Sequence, residues 1–145
     1  MNKDMKLSEH FSLGELTKTN YVTKDGNFPS RVAIENLTNI CENWLEALRQ
    51  AQGPLIINSG YRSPEVNKFA GGSSTSNHLT GCAVDIRVAG FEQAIRYASI
   101  LLDISEGTQR DYDELFIEKN KTGSHWIHFA VKPKDNRRKS GFIKV

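Results

Sequence analysis

Ser76-Asn77-His78-Leu79-Thr80-Gly81-Cys82-Ala83-Val84-Asp85 is the stretch on which the reading of this chain turns. It leaves a loop of small residues, Gly71 to Ser76, and enters an apolar run, Cys82 to Val88, that reads as a strand. An aspartate inside Ala83-Val84-Asp85-Ile86 needs a partner, because an unpaired buried charge is very costly. A metal ion would be one such partner. An arginine, or a nearby backbone to cap, would be another. His78 stands at the end of the loop, and zinc favours imidazole nitrogen and carboxylate oxygen. A catalytic zinc site keeps three protein ligands and leaves one position for water.

A second histidine-bearing segment, Ser124-His125-Trp126-Ile127-His128-Phe129-Ala130, lies downstream. Two strands, about 113–118 and 124–131, flank a Gly-containing turn over 119–123 and read as a hairpin. Side chains alternate between the faces of a strand. Ile127, Phe129 and Val131 therefore share a core face with Leu115 and Ile117. His128 points the other way with Trp126 and Ser124, and Glu114, Phe116 and Glu118 join it from the preceding strand. One histidine and two carboxylates thus occupy one non-core face, within cross-strand reach, provided no bulge or register slip intervenes.

Working outward, Ser12-Leu13-Gly14-Glu15 has capping-box spacing and predicts a short helix. Residues 20–29 read as a loop. A long helix follows over about 30–51, with Ile34, Leu37, Cys41, Trp44, Leu45 and Leu48 at three- and four-residue spacing, and Gly53-Pro54 stops it. Leu55-Ile56-Ile57 reads as a short strand. Ser59-Gly60-Tyr61-Arg62-Ser63-Pro64 is a turn that starts a helix ending near Ala70. A further amphipathic helix over 91–102 turns Ala94, Ile95, Ala98 and Leu101 or Leu102 inward. Helices and mostly antiparallel strands do not alternate regularly, so the class is α+β.

With 145 residues, 38% hydrophobic and 25% charged, the chain makes one globular domain and no bilayer span. No secretory leader is visible at its start, so delivery to an external target would need another route, or removal of a leader. A net charge of +2 does not imply nucleic acid. Neither a phosphate loop nor aromatic-basic interleaving is present. The run Lys132-Pro133-Lys134-Asp135-Asn136-Arg137-Arg138-Lys139 reads as a solvated turn, or as a contact with an anionic wall polymer, in a segment 132–145 appended to the domain. Cys41 and Cys82 have no CxxC neighbour and read as buried small hydrophobes. His10 has no motif around it.

The pattern Ser-x-His-x-x-Gly-x-Ala-x-Asp at 76–85, with Ser59-Gly60-Tyr61-Arg62-Ser63 before it and Trp126-Ile127-His128 after it, resembles the zinc D-alanyl-D-alanine peptidases. It is most similar to their small single-domain branch, which includes phage-lysin-like proteins. The resemblance runs from about Phe11 to Lys132. It implies the fold shared with the hedgehog signalling domain: a small, mostly antiparallel sheet flanked by helices, with zinc on its open face. It also implies zinc ligation by His78, Asp85 and His128, one ion per chain. Arg62 would steady substrate or oxyanion, and Ser76 would help hold the substrate peptide. Tyr61 is a second candidate substrate contact, with packing as its alternative, and Trp126 is either a cleft wall or cross-strand packing. Several relatives carry an acid three residues before the last histidine, where this chain has His125. The hedgehog-type hairpin offers Glu118 instead, which makes Glu118 the favoured general base and His125 the second candidate. The expected activity is hydrolysis of peptidoglycan stem peptides by a monomer, as carboxypeptidase or endopeptidase. A catalytically silent zinc-binding module of the same fold is the alternative.

Overall fold

In the computed structural model, which describes residues 1–145, strand β1 (Lys6–Ser8) pairs antiparallel with β2 (Phe11–Ser12). Ser12 then caps helix α1 (Leu13–Leu16), its side chain accepting from the Glu15 amide while the Glu15 carboxylate accepts from the Ser12 amide. Helix α2 (Arg31–Ile40) starts on a Ser30 cap and runs through a π-helical turn, Cys41–Leu45, into α3 (Glu46–Gln52). The single rod matches the long helix expected over 30–51. Its π turn brings Cys41, Trp44 and Leu45 together into the core ahead of Leu48.

Strand β3 (Ile57–Ser59) begins two residues later than the apolar run 55–57 suggested, and Ile56 is exposed. The pairing Ile57↔Ile86 and Ser59↔Asp85 sets this boundary. Helix α4 (Pro64–Phe69) has a Ser63 cap with proline in its first turn. A 3₁₀ turn, Asn77–Thr80, leads into β4 (Ala83–Arg87). Helix α5 (Phe91–Thr108) runs six residues past the expected 102. It buries Ala94, Tyr97, Leu101 and Ser105, which settles the choice of Leu101 over Leu102, whereas Ile95, expected inside, lies one step round the helix and is exposed. The added turns carry Ile104 against the core, and the Ser105 hydroxyl donates to the Arg110 carbonyl.

The hairpin is formed by β5 (Glu114–Lys119) and β6 (His125–Ala130). Together with β7 (Lys139–Lys144) they complete a five-stranded sheet in the order β3-β4-β6-β5-β7. All neighbours are antiparallel except β5 and β7. This is an α+β fold. The basic segment is therefore not an appendage: its last part is an edge strand hydrogen-bonded along the whole of β5. One face of the sheet, with Val84, Ile86, Leu115, Ile117, Ile127 and Phe129, packs on the helices, and Trp44 meets Phe129 edge-on at 4.9 Å between ring centres. The other face is left for chemistry. No helix is long and apolar enough to cross a membrane.

Gly81 joins the two halves of the decisive stretch. Its φ is +73°, a left-handed conformation, and a Cβ there would lie 2.3 Å from the Ala33 carbonyl oxygen of α2. Gly81→Ala is expected to lower unfolding free energy by at least about 2 kcal/mol, from strain and backbone overlap. Gly107→Ala, in the last turn of α5 with open space around it, should be neutral or stabilising by up to about 1 kcal/mol. Urea denaturation of both variants checks the contrast. An equal effect of the two would remove this role of Gly81.

Candidate metal centre and cleft

Three elements converge on the open face. The 3₁₀ turn presents His78, whose amide donates to the Ser76 hydroxyl oxygen at 3.2 Å and whose carbonyl accepts from the Arg62 amide at 3.0 Å. The ring of His78 is buried, and its Nδ1 lies 2.7 Å from the Gly60 carbonyl oxygen. A carbonyl only accepts, so Nδ1 carries a proton and the ring turns Nε2 into the site. That Nε2 lies 3.4 Å from Asp85 Oδ1.

Sheet register supplies the other two residues. Asp85 of β4 pairs directly with His128 of β6, and His128 pairs on its other side with Phe116 of β5. His128 Nδ1 sits 3.0 Å from Asp85 Oδ1, and its Nε2 sits 2.9 Å from Glu114 Oε1. The Phe116 ring stacks on the imidazole at 5.8 Å. Ligand atoms from His78, Asp85 and His128 all lie within 4.8 Å of one another; His78 and Asp85 are buried and His128 is half-buried.

The electrostatics are those of a cation site. Burial alone would raise the Asp85 pKa, but the two imidazoles reverse that and hold the carboxylate far below its usual range. Burial would likewise lower the His128 pKa. Carboxylates on both ring nitrogens overturn this and push it up to about 10. The negative charge that keeps a proton on His128 would equally favour a divalent cation held by these residues. Two imidazole nitrogens and a carboxylate oxygen form a zinc-type donor set, and each ligand has an outer partner: Gly60 for His78, Arg62 for Asp85, Glu114 for His128. The residues present fit zinc.

The cleft above these ligands has a volume of about 650 Å³, and Arg62, Ser76, Glu118 and Trp126 line it. Arg62 spends three of its N–H groups within the protein, on Ser59, Asn67 and Asp85. Glu118 accepts from the Trp126 indole at 2.8 Å, and its pKa is raised by burial. Trp126 is thus both a wall and a hydrogen-bond donor.

Two expected site residues do not reach the cleft. Tyr61 is buried in the hydrophobic core, its backbone N–H donating a hydrogen bond to the Leu16 carbonyl, and takes the packing alternative. His125 has the parity of Ile127, so its ring points to the opposite face, 5.6 Å from Phe91 in a separate apolar hollow. Glu114 is a residue whose face the alternation identified but to which it assigned no role. Asn77, Asp113 and Arg137, which surround Glu114, carried no local signal.

A family model described as Peptidase M15 matches residues 9–114. That span holds Arg62, His78 and Asp85 and stops short of Glu118 and His128. The zinc D-Ala-D-Ala carboxypeptidase of Streptomyces albus G is 34% identical over 80 residues, covering 53% of this chain and 31% of that protein. The chain spans about a third of the length of this curated relative.

Asp85→Ala removes the carboxylate shared by both histidines. It is expected to weaken zinc affinity by more than about 100-fold, beyond the range for losing an outer partner. Elemental analysis and chelator competition check this. Undiminished zinc in the variant would take Asp85 out of the site.

Proposed function

Because the chain belongs to the Peptidase M15 family, we propose that it is a zinc-dependent peptidase acting on peptidoglycan stem peptides, as a D-Ala-D-Ala-type carboxypeptidase or endopeptidase. The observation that carries this reading is the buried His78–Asp85–His128 group beneath a cleft that also holds a glutamate of raised pKa. The zinc enzyme among its relatives supports the substrate class.

His78, Asp85 and His128 would hold one zinc per chain. When bound, zinc would supply Lewis acidity, bringing the pKa of a coordinated water from about 15.7 towards 7 and polarising a carbonyl. Glu118 takes the proton of the attacking water on a carboxylate oxygen and delivers it to the leaving amine. Burial favours its protonated form, which makes it a competent donor in the second step, and the Trp126 indole keeps its other lone pairs oriented. A guanidinium has five N–H groups. With three committed, Arg62 retains two for the substrate carbonyl or carboxylate, while its bond to Asp85 steadies a ligand. Ser76 lines the cleft beside His78 and offers its hydroxyl proton to a substrate carbonyl, since its oxygen already caps the 3₁₀ turn.

Digestion of defined muropeptides, with products read by mass, tests the proposal. Loss of a terminal alanine identifies a carboxypeptidase, and conversion of crosslinked dimers to monomers identifies an endopeptidase. No product from zinc-loaded protein at high concentration would leave a silent zinc-binding module instead. Glu118→Ala should lose kcat by about 100-fold or more while keeping zinc. His125→Ala should stay within about twofold of wild type, because its ring is on the other face. An active Glu118→Ala alongside a dead His125→Ala would exchange the roles.

A further inference from the structure

The basic segment reaches the carboxylates behind His128. Arg137 donates from its backbone amide and its Nε to Asp113 Oδ1, both at 3.0 Å, and from Nη2 to Asp113 Oδ2 at 2.7 Å. The same Nη2 reaches Glu114 Oε2 at 3.3 Å. Asp113 is fully buried and also has Lys132 Nζ at 3.5 Å. From the other side, Asn77 Nδ2 donates to Asp113 Oδ2 and to Glu114 Oε1, each at 2.9 Å. Glu114 Oε1 in turn accepts from His128.

Two adjacent carboxylates at the start of β5 would repel each other and turn apart without shared donors. The Arg137 fork and the Asn77 amide are those donors. Between them they occupy both oxygens of Glu114, fixing where it points. A carboxylate so fixed requires an N–H at His128 Nε2, so Nδ1, aimed at Asp85, is the nitrogen left to give up its proton to a metal.

We propose that Arg137 is a positioning residue of the metal centre. With Asn77 it holds Glu114 so that Glu114 sets the ring orientation and tautomer of His128. The basic run is then in part the outer wall of the site and not solely a solvated turn or a wall-polymer contact. This inference rests on the zinc centre of the proposed function but not on the peptidase assignment.

Removing Arg137 alone would strand the buried Asp113 carboxylate, so the test uses the charge-balanced pair Asp113→Asn with Arg137→Ala. It is made with and without Glu114→Gln, and Arg137→Lys is made separately. Zinc affinity is read by chelator competition without substrate, folding by thermal melting of the stripped protein, and which His128 nitrogen keeps its proton by ring ¹⁵N shifts in the zinc-loaded protein. Glu114→Gln should weaken zinc by about 10–100-fold, and the balanced pair by about tenfold with a disturbed His128 shift. Combined with Glu114→Gln, the pair should add little, because both act through the same carboxylate. Arg137→Lys should also bind zinc more weakly than wild type, since one ammonium does not span both acids as the fork does. Wild-type affinity in the folded pair or in Arg137→Lys, or losses that multiply with Glu114→Gln, would reduce Arg137 to an anchor for β7 and overturn the proposal. Wild-type protein that binds no zinc would sink the centre itself, whereas a zinc-binding chain without peptidase activity would leave this inference standing.

Discussion

A carboxylate buried between two imidazoles is the constraint on which this structure depends. Asp85 sits in the middle of β4, and little solvent is available to stabilise its charge. Its neighbours must do so: Arg62 on Oδ2, His78 and His128 on Oδ1. Each neighbour then needs its own partner, and the pattern of alternating sign extends outward. His128 leans on Glu114, Glu114 and Asp113 lean on Arg137 and Asn77, and Lys132 closes the far end. The side chains run from the turn after β3 to the segment before β7. Breaking one link exposes a buried charge elsewhere, which is why such a network is costly to interrupt in the middle.

Strand register converts that constraint into geometry. Asp85, His128 and Phe116 are directly opposite one another across three strands, so the centre forms only in this alignment. A slip of one residue would send His128 into the helical face and bring Ile127 out. Packing of Ile127 and Phe129 against the helices therefore protects the metal face as well as the core. The turn after β5 supports the same register, with Gly123 at φ +91° and Asn120 accepting from the Thr122 and Ser124 amides.

Much of this was legible in the residue pattern, and the failures have identifiable causes. Alternation in the hairpin separated the core residues from His128, Phe116 and Glu118, because parity is a local property of a strand. The same parity already placed His125 with Ile127; a family position, not the strand pattern, kept it among the candidates. Tyr61 lies in a turn, where no periodicity predicts direction, and a backbone hydrogen bond to the Leu16 carbonyl turns it inward. Arg137 sits in a run of cations that looks solvated, and its partner Asp113 is 24 residues away in sequence. Charge runs reveal sign but not pairing. The end of α5 was missed for a related reason: Ser105 is buried through a hydrogen bond, which no hydrophobic pattern records.

The two glutamates of β5 show how one strand separates structural from chemical work. Glu114 and Glu118 share a face, four residues apart, and begin with the same intrinsic acidity. Glu114 is surrounded by donors, with the His128 hydrogen bond foremost, and its pKa falls below the usual value, fixing it as an anion. Glu118 is desolvated and has the Trp126 indole as its hydrogen-bond donor, so its pKa rises. A carboxylate that stays ionised is suited to orienting a ligand. One whose protonated form lies within easier reach is suited to carrying a proton from water to a departing amine. Environments that drive like groups apart in this way are the physical ground for dividing acid–base roles. They favour Glu118 over Glu114 as the proton carrier, with the sheet holding both on the face that carries His128.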